Sequence, residues 1–310
     1  MANRTRVTEF ILIGFSLSPQ TEIILFFLFL MFYLVTVSGN LLIITITLIS
    51  HRLHAPMYFF LRNFSVMEIL FTSITVPKLL AGLLFHSKTI SFLACMTQCF
   101  FYFFVGVTEF IFLAIMSFDR YVAICNPLRY TTIMNNRVCI QLLLAAWVGS
   151  FFPILFSGLI LFQVPFCGPN VVNHFFCDSI ALEKIACTDT HPVELMNLIL
   201  ASLLLCGSLV VTTVSYIHIF ITVLRIPTAK GRQKAFSTCA SHITVVSLTY
   251  GTHIFMHVQS TETSSLDLNK VVALMTTVVT PSLNPFIYTL RNEAVKQALR
   301  ETIIQKKCTS

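Results

Sequence analysis

Long apolar segments separated by short polar connections run through the whole chain. Five stretches of 20 or more residues contain no Asp, Glu, Lys or Arg, and two more contain a single carboxylate each, Glu68 and Glu109. A membrane-spanning helix needs about 20 mainly apolar residues, whereas a membrane barrel shows shorter segments of alternating polarity. The pattern predicts an all-α membrane protein: a seven-transmembrane helix bundle that forms one domain over residues 1–310.

The predicted spans are 23–50, 57–80, 91–124, 138–162, 195–225, 235–258 and 270–290. Residues 1–22 are expected on the extracellular side, and residues 291–310 form a cytoplasmic tail. Within this tail the apolar residues have the spacing of a short amphipathic helix that lies on the membrane. They are Ala294, Val295, Ala298, Leu299 and Ile303.

The distribution of charge gives an orientation. With the N-terminus outside, fourteen Lys and Arg residues face the cytoplasm with three Asp or Glu, whereas six face outward with eight. Basic loops remain cytoplasmic, so this orientation is favoured, and the basic face suits anionic membrane lipid. The excess of positive charge is therefore topological and does not indicate nucleic acid. A chain that is 56% hydrophobic and 11% charged is neither disordered nor a soluble enzyme.

Four cysteines fall on the extracellular side, where disulfides persist. Cys95 opens the third span, and Cys167, Cys177 and Cys187 are spaced ten apart in the loop after the fourth. Their positions alone leave three pairings open. Asn3 begins an Asn-Arg-Thr sequon on the same side, which predicts a glycosylation site.

Polar side chains recur in the cytoplasmic half of the membrane, where ionisable groups are costly. Helical rise places Glu68, Glu109, Asn284 and Asn40 in this half on four different helices. We expect Glu68 and Glu109 to share a Na⁺ ion or a proton, because two adjacent carboxylates do not both ionise cheaply. Two independent neutral carboxyl groups are the alternative. Pro285, directly after Asn284, predicts a hinge in the last span.

Five segments together resemble a known family. Met116–Leu128, with the sequence MSFDRYVAICNPL, closely resembles the olfactory receptor signature at the end of the third helix. The other segments occur in the matching spans, so the resemblance covers essentially the whole chain. They are Pro56–Leu61, Ser215–Tyr216, Lys234–His242 and Pro281–Asn292.

The resemblance implies a rhodopsin-like G-protein-coupled receptor of the tetrapod olfactory type. Such receptors lie in the plasma membrane, bind small volatile odorants and activate a stimulatory heterotrimeric G protein of the olfactory type, which raises cyclic AMP. It also implies the disulfides Cys95–Cys177 and Cys167–Cys187. The residues implied in G-protein coupling and switching are Asp119, Arg120, Tyr121, Tyr216, Asn284, Pro285 and Tyr288. The family usually carries Asp at Glu68, so the longer side chain alters any sodium geometry.

The ligand site is expected between helices in the outer half of the bundle. Helical rise places Tyr102 and His253 at similar heights, and His257 lies one turn beyond His253 on the same side. These side chains would supply sparse hydrogen bonds, although each His could instead pack against a neighbour. The remaining predicted lining residues are Phe103, Gly106, Val107, Leu204, Leu205 and Tyr250.

Other classes fit the sequence less well. A membrane transporter predicts internally repeated halves, which the sequence does not show. An enzyme needs a nucleophile and a base with an orienting partner, and no such set is evident. No cofactor is expected apart from the possible Na⁺. The same receptor scaffold could also act as a chemosensor outside the olfactory epithelium, which only tissue expression would separate.

Overall fold

In the computed structural model, seven long helices form a bundle. The structure describes residues 7–15, 17–85, 87–166, 169–260, 266–292 and 294–301. Within these ranges it describes all side chains except those of Lys234, Ser237, Thr238, 256–260, 266–267 and 290–291. The first four long helices are α1 (Pro19–Ile49), α2 (Pro56–Phe85), α3 (Phe92–Cys125) and α4 (Asn136–Gln163). They are followed by α5 (His191–Leu224) and α6 (Ala229–Ser260).

The seventh spanning helix, α7, has three consecutive parts: Leu266–Leu274, a π-helical turn at Met275–Val279, and Thr280–Arg291. A short helix, α8, follows at 294–301. Val295 and Ala298 of α8 are buried, and Arg52 forms an ion pair with Glu301 at 2.7 Å. The amphipathic C-terminal helix is thus confirmed, with Ile303 outside the described residues.

Six helices in the described chain are long and apolar enough to cross a membrane, namely α1 to α5 and α7. The remaining long helix, α6, is 32 residues long but carries Ser, Thr, His and Tyr among its apolar residues, which dilutes its hydropathy. α3 lies at the centre, packed against α2, α4, α5 and α6. The seven-helix bundle predicted from the sequence is therefore confirmed.

Local signals fix where the helices begin. Ser18 caps α1 by accepting from the backbone N–H of Thr21, and Pro19 occupies the first turn, where no backbone donor is needed. Ser91 and Asn135 cap α3 and α4 in the same way. α1 consequently starts four residues before the predicted span.

A small sheet that the sequence did not predict covers the end of the bundle where α1 and α3 begin. β1 (Glu9–Leu12) pairs antiparallel with β2 (Thr89–Ser91) and parallel with β3 (Val171–Val172). Phe10 and Leu12 alternate with Glu9 and Ile11 along β1, and both are buried in a cluster with Cys95 and Cys177. The N-terminal segment is therefore part of the folded bundle.

The last span was predicted to have a hinge at Pro285, but its helix is irregular at an earlier position. Pro281 lies in the first turn of the Thr280–Arg291 helix, and the helix continues through Pro285. The π-helical turn Met275–Val279 lies just before these prolines. Pro281 has no N–H for a helical bond, and one extra residue per turn accommodates the missing donor.

Candidate ligand-binding and signalling site

Tyr102, the predicted ligand anchor on α3, is enclosed by three parts of the structure. Its ring stacks on Phe71 of α2 at 5.1 Å between centroids and meets Phe176 of the loop between α4 and α5 at 4.5 Å. Its side chain also interacts with Thr276 in the π-helical turn. Tyr102 is 6% exposed, so α2, the loop and α7 all set its position.

The loop above Tyr102 is tied to the bundle covalently and by hydrogen bonds. Cys95 and Cys177 form a disulfide, which confirms that pairing. The Cys177 N–H donates to the amide oxygen of Gln98, whose Nε2 donates to the Ile74 carbonyl at 2.8 Å. Gln98, which sequence reasoning missed, thus joins α2, α3 and the loop.

The second predicted disulfide is described only in part. Cys187 is disulfide-bonded, and Cys167 lies outside the described residues. Asn3, the predicted glycosylation site, also lies outside them.

His253 and Tyr250 of α6 form a separate cluster with Phe110 of α3. Phe110 lies 4.7 Å from the His253 ring in an edge-on arrangement and 5.4 Å from Tyr250. His253 Nδ1 is 2.9 Å from the Thr249 carbonyl, an acceptor, so Nδ1 carries the proton. In the neutral ring Nε2 is therefore an acceptor. The His257 side chain lies outside the described side chains.

The other predicted lining residues are half-buried, as the walls of a site between helices would be. A Cβ added at Gly106 would meet Phe71 at an ordinary 3.6 Å. Tyr102 contacts Phe71 and Phe176, whereas His253 contacts Phe110, so the anchors lie in two clusters along α3. The half-buried residues are Phe103, Gly106, Val107, Leu204 and Leu205.

The predicted polar layer is present in part. Asn284 Nδ2 donates to Glu68 Oε1 at 2.6 Å, and both residues are buried. Glu109 interacts electrostatically with Glu68. Asn40 instead donates to the Thr36 carbonyl of its own helix. Glu68 Oε2 and Asn284 Oδ1 are buried oxygens without a protein partner.

An ion pair lies near the C-terminal end of α3. Arg120 Nη2 lies 2.7 Å from Asp119 Oδ2, and Asp119 is fully buried. The Tyr130 hydroxyl donates to the other Asp119 oxygen at 2.8 Å, and Arg120 Nη1 also contacts the Met57 sulfur. Burial and the Asp119 charge raise the pKa of Tyr130, so its hydroxyl stays protonated. Met57 and Tyr130 were missed by sequence reasoning.

Tyr216 is paired with a histidine in this structure. Its hydroxyl lies 2.6 Å from His242 Nδ1, which joins α5 to α6. His242 belongs to the segment Lys234–His242 that carries part of the family resemblance, but this segment does not identify the partner of His242. Tyr288 is buried with its ring against Phe64, and Tyr121 is half-buried against His218.

A large apolar side chain projects from the turn that follows α3. Leu128, in the single 3₁₀ turn Pro127–Arg129 after α3, is 97% exposed. Arg129 follows it directly.

The helical bundle has a seven-helix fold that is also found in a solved rhodopsin structure. Squid rhodopsin has the same fold, with a TM-score of 0.74 at 16% identity over 94% of this chain and 82% of that one. The chain matches the olfactory receptor family over residues 29–306. It is 55% identical to olfactory receptor 6E1 of Mus musculus, covering 98% of this chain and 97% of that one.

Olfactory receptor 6J1 of Homo sapiens is 51% identical, over 96% of this chain and 86% of that one. The chain belongs to the olfactory receptor family, a family of G-protein-coupled receptors in the membrane, which are receptors and not enzymes.

Proposed function

We propose that this receptor detects small, mainly apolar volatile molecules in the outer half of the bundle. Membership of the olfactory receptor family is the observation that carries the proposal. On binding, the receptor activates a stimulatory, olfactory-type G protein and raises cyclic AMP. The distribution of charge along the sequence supports a plasma-membrane orientation with the N-terminus outside.

The chemistry of the candidate site favours ligands with an apolar body and one polar group. Its proposed walls come from Phe103, Val107, Leu204 and Leu205, which offer dispersion contacts and no strong polar group. His253, with Nδ1 directed to a backbone carbonyl, adds a polar ring to these apolar walls. We therefore expect ligands such as straight-chain alcohols, which combine an apolar body with one polar group.

The polar layer beneath this site is proposed to hold a Na⁺ ion or a proton. Glu68 Oε2 and Asn284 Oδ1 are oxygens without a protein partner, and oxygen ligands suit a hard cation. Glu68 would bind the cation with its free oxygen, and Glu109 would contribute the second charge. Among the described residues no group of three or more His, Cys, Asp or Glu is placed to hold a metal. A sodium ion would therefore depend on these two carboxylates and on amide or hydroxyl oxygens.

The cytoplasmic end is proposed as the G-protein contact. In the resting arrangement Asp119 and Tyr130 hold Arg120, and His242 holds Tyr216. Separation of these pairs would release Arg120 toward the partner, while Leu128 and Arg129 provide an apolar and a basic contact. Arg120→Ala is expected to abolish coupling without loss of surface expression.

A broad odorant panel in cells with a cyclic AMP reporter tests the function. A concentration-dependent response that Arg120→Ala removes would support it. His253→Ala should change the order of agonist potencies, whereas Phe255→Ala is the control, because Phe255 lies on the same helix and is 52% exposed. If no compound raised cyclic AMP despite surface expression, the proposed coupling would be wrong.

A further inference from the structure

The N-terminal segment is part of the extracellular mouth of the bundle. Beyond β1, the Ile13 N–H donates to the Val172 carbonyl at 3.0 Å, and the Gly14 N–H donates to the His174 carbonyl at 3.2 Å. Gly14 has φ of +67°, a conformation that favours glycine. The chain thus turns at Gly14 beside the extracellular loop and then enters α1.

A buried lysine from α7 holds this turn. Lys270 is 3% exposed, and its Nζ donates to the Gly14 carbonyl at 2.7 Å. The same ammonium lies 5.8 Å from the centre of the Phe15 ring, a cation–π distance. His174 is buried nearby, and burial together with the Lys270 charge lowers its pKa to about 3. His174 is therefore neutral at physiological pH and adds no positive charge beside Lys270.

Ring contacts lead from Lys270 to the predicted ligand anchor. Phe15 stacks on Phe175 at 5.9 Å and 19°, and Phe175 contacts Phe176 at 5.1 Å. Phe176 lies 4.5 Å from Tyr102 and is fully buried. The height of Phe176 above Tyr102 is thus set from above by the N-terminal segment as well as by the neighbouring Cys177 disulfide.

The N-terminal segment does not pack completely against the helices beneath it. A cavity of about 40 Å³ lies between Gly14, Phe15 and the outer end of α2, where Leu79 and Leu83 line it. Close packing therefore does not by itself fix Phe15. The hydrogen bond from Lys270 to the adjacent Gly14 carbonyl adds a polar restraint.

We propose that Lys270 is a positioning residue for Phe175 and Phe176, which form the roof of the ligand site above Tyr102. Through them it limits the length of ligand that the receptor accepts. This inference rests on the proposed ligand site below Phe176. Lys270 acts through Phe15, Phe175 and Phe176 and need not touch the ligand. Without its ammonium, the N-terminal segment and Phe175 retain less restraint, and Phe176 can move away from Tyr102.

The test compares Lys270→Met, which keeps the length of the side chain but removes its charge and donor, with Lys270→Arg, which keeps both. Lys184→Met is the matched control, because Lys184 is an exposed lysine of the same extracellular face. Amide hydrogen exchange on purified receptor reports restraint of residues 7–15 and 171–176. Cyclic AMP responses to straight-chain alcohols from butanol to dodecanol report the length limit.

Lys270→Met should accelerate exchange in both segments and extend the response to alcohols longer by roughly three methylenes, if the roof retreats by about one van der Waals contact distance. Lys270→Arg should restore both measurements, and Lys184→Met should change neither. The inference would be overturned if amide exchange in Lys270→Met were as slow as in the wild type. It would also be overturned if exchange were faster but the longest active alcohol were unchanged.

A second variant covers the case in which Lys270→Met fails to reach the cell surface. Phe15→Ala removes the ring that Lys270 covers and leaves the lysine in place, so it should reproduce the longer limit. An unchanged limit in Phe15→Ala would equally overturn the inference. If wild-type receptor answered no alcohol, the proposed ligand class would fail, and hydrogen exchange would still decide whether Lys270 restrains the segment.

Discussion

Removal of the Tyr130 hydroxyl gives a direct test of the resting state. Asp119 is fully buried with one oxygen on Arg120 and the other accepting from Tyr130 at 2.8 Å. Tyr130→Phe keeps the ring and deletes only this second bond. Asp119 then loses one of the two contacts that keep it beside Arg120. We therefore expect Arg120 to leave the ion pair more readily.

The size of the effect follows from the kind of bond that is lost. A hydrogen bond to a charged group contributes about 1.5–3 kcal/mol, and the half-exposed Tyr130 belongs at the lower end. If the bond exists only in the resting arrangement, its loss shifts the equilibrium toward the active one by about 1.5 kcal/mol. Ligand-free signalling should therefore rise roughly tenfold while the active fraction is small.

Basal cyclic AMP at matched surface expression measures this rise. Tyr33→Phe is the control, because it also deletes a tyrosine hydroxyl, one that bonds Ser73 at 3.0 Å between α1 and α2. It should leave basal signalling unchanged. An unaltered basal signal in Tyr130→Phe, in a receptor that Arg120→Ala still uncouples, would refute the role of Tyr130 in restraining Arg120.

Three further predictions follow from other parts of the structure. A Cβ at Gly39 would lie 2.7 Å from Pro285 Cβ, so Gly39→Ala should separate α1 from α7 and cost about 1–3 kcal/mol, seen as reduced thermal stability, whereas Gly82→Ala, with open space, should not. Burial and neighbouring carboxylates raise the pKa of Glu183 to about 7, so its contribution to stability is lost as pH rises from 4.5 through 7. Glu183→Gln should therefore melt higher than wild type at pH 8 and not at pH 4; a pH-independent difference would contradict this. Leu128→Asp should weaken G-protein coupling at normal ligand affinity, and normal coupling would exclude Leu128 from the contact.

The sequence predicted the bundle well because each spanning helix depends on a property that is repeated along its whole length. Twenty apolar residues bounded by charges define a span whatever its neighbours are. Position on one side of the membrane likewise brought Cys95 and Cys177 into the same set of four cysteines. Their pairing, however, came from the family resemblance and not from the spacing, which left three choices.

Short and contact-dependent features were beyond the same reasoning. β1 has four residues, and its partners lie about 80 and 160 positions away, so no local pattern of alternation identifies it. The start of α1 could have been found, because Ser18-Pro19 is a recognisable capping signal. The contact between Tyr216 and His242 could not have been predicted, because it depends on how α5 and α6 are rotated relative to each other when they pack.

The buried polar atoms without protein partners bear on the proposed switching between two arrangements of the bundle. Besides Glu68 Oε2 and Asn284 Oδ1, they include the hydroxyl of Tyr288 and Nε2 of His242. A buried donor or acceptor without a partner costs about 1–3 kcal/mol, so a static bundle gains nothing from retaining several. These atoms lie on α2, α6 and α7, around the central α3. A rearrangement that gave some of them partners would offset the loss of the Asp119–Arg120 pair, so two arrangements of similar free energy become possible and a ligand with modest differential affinity can select between them.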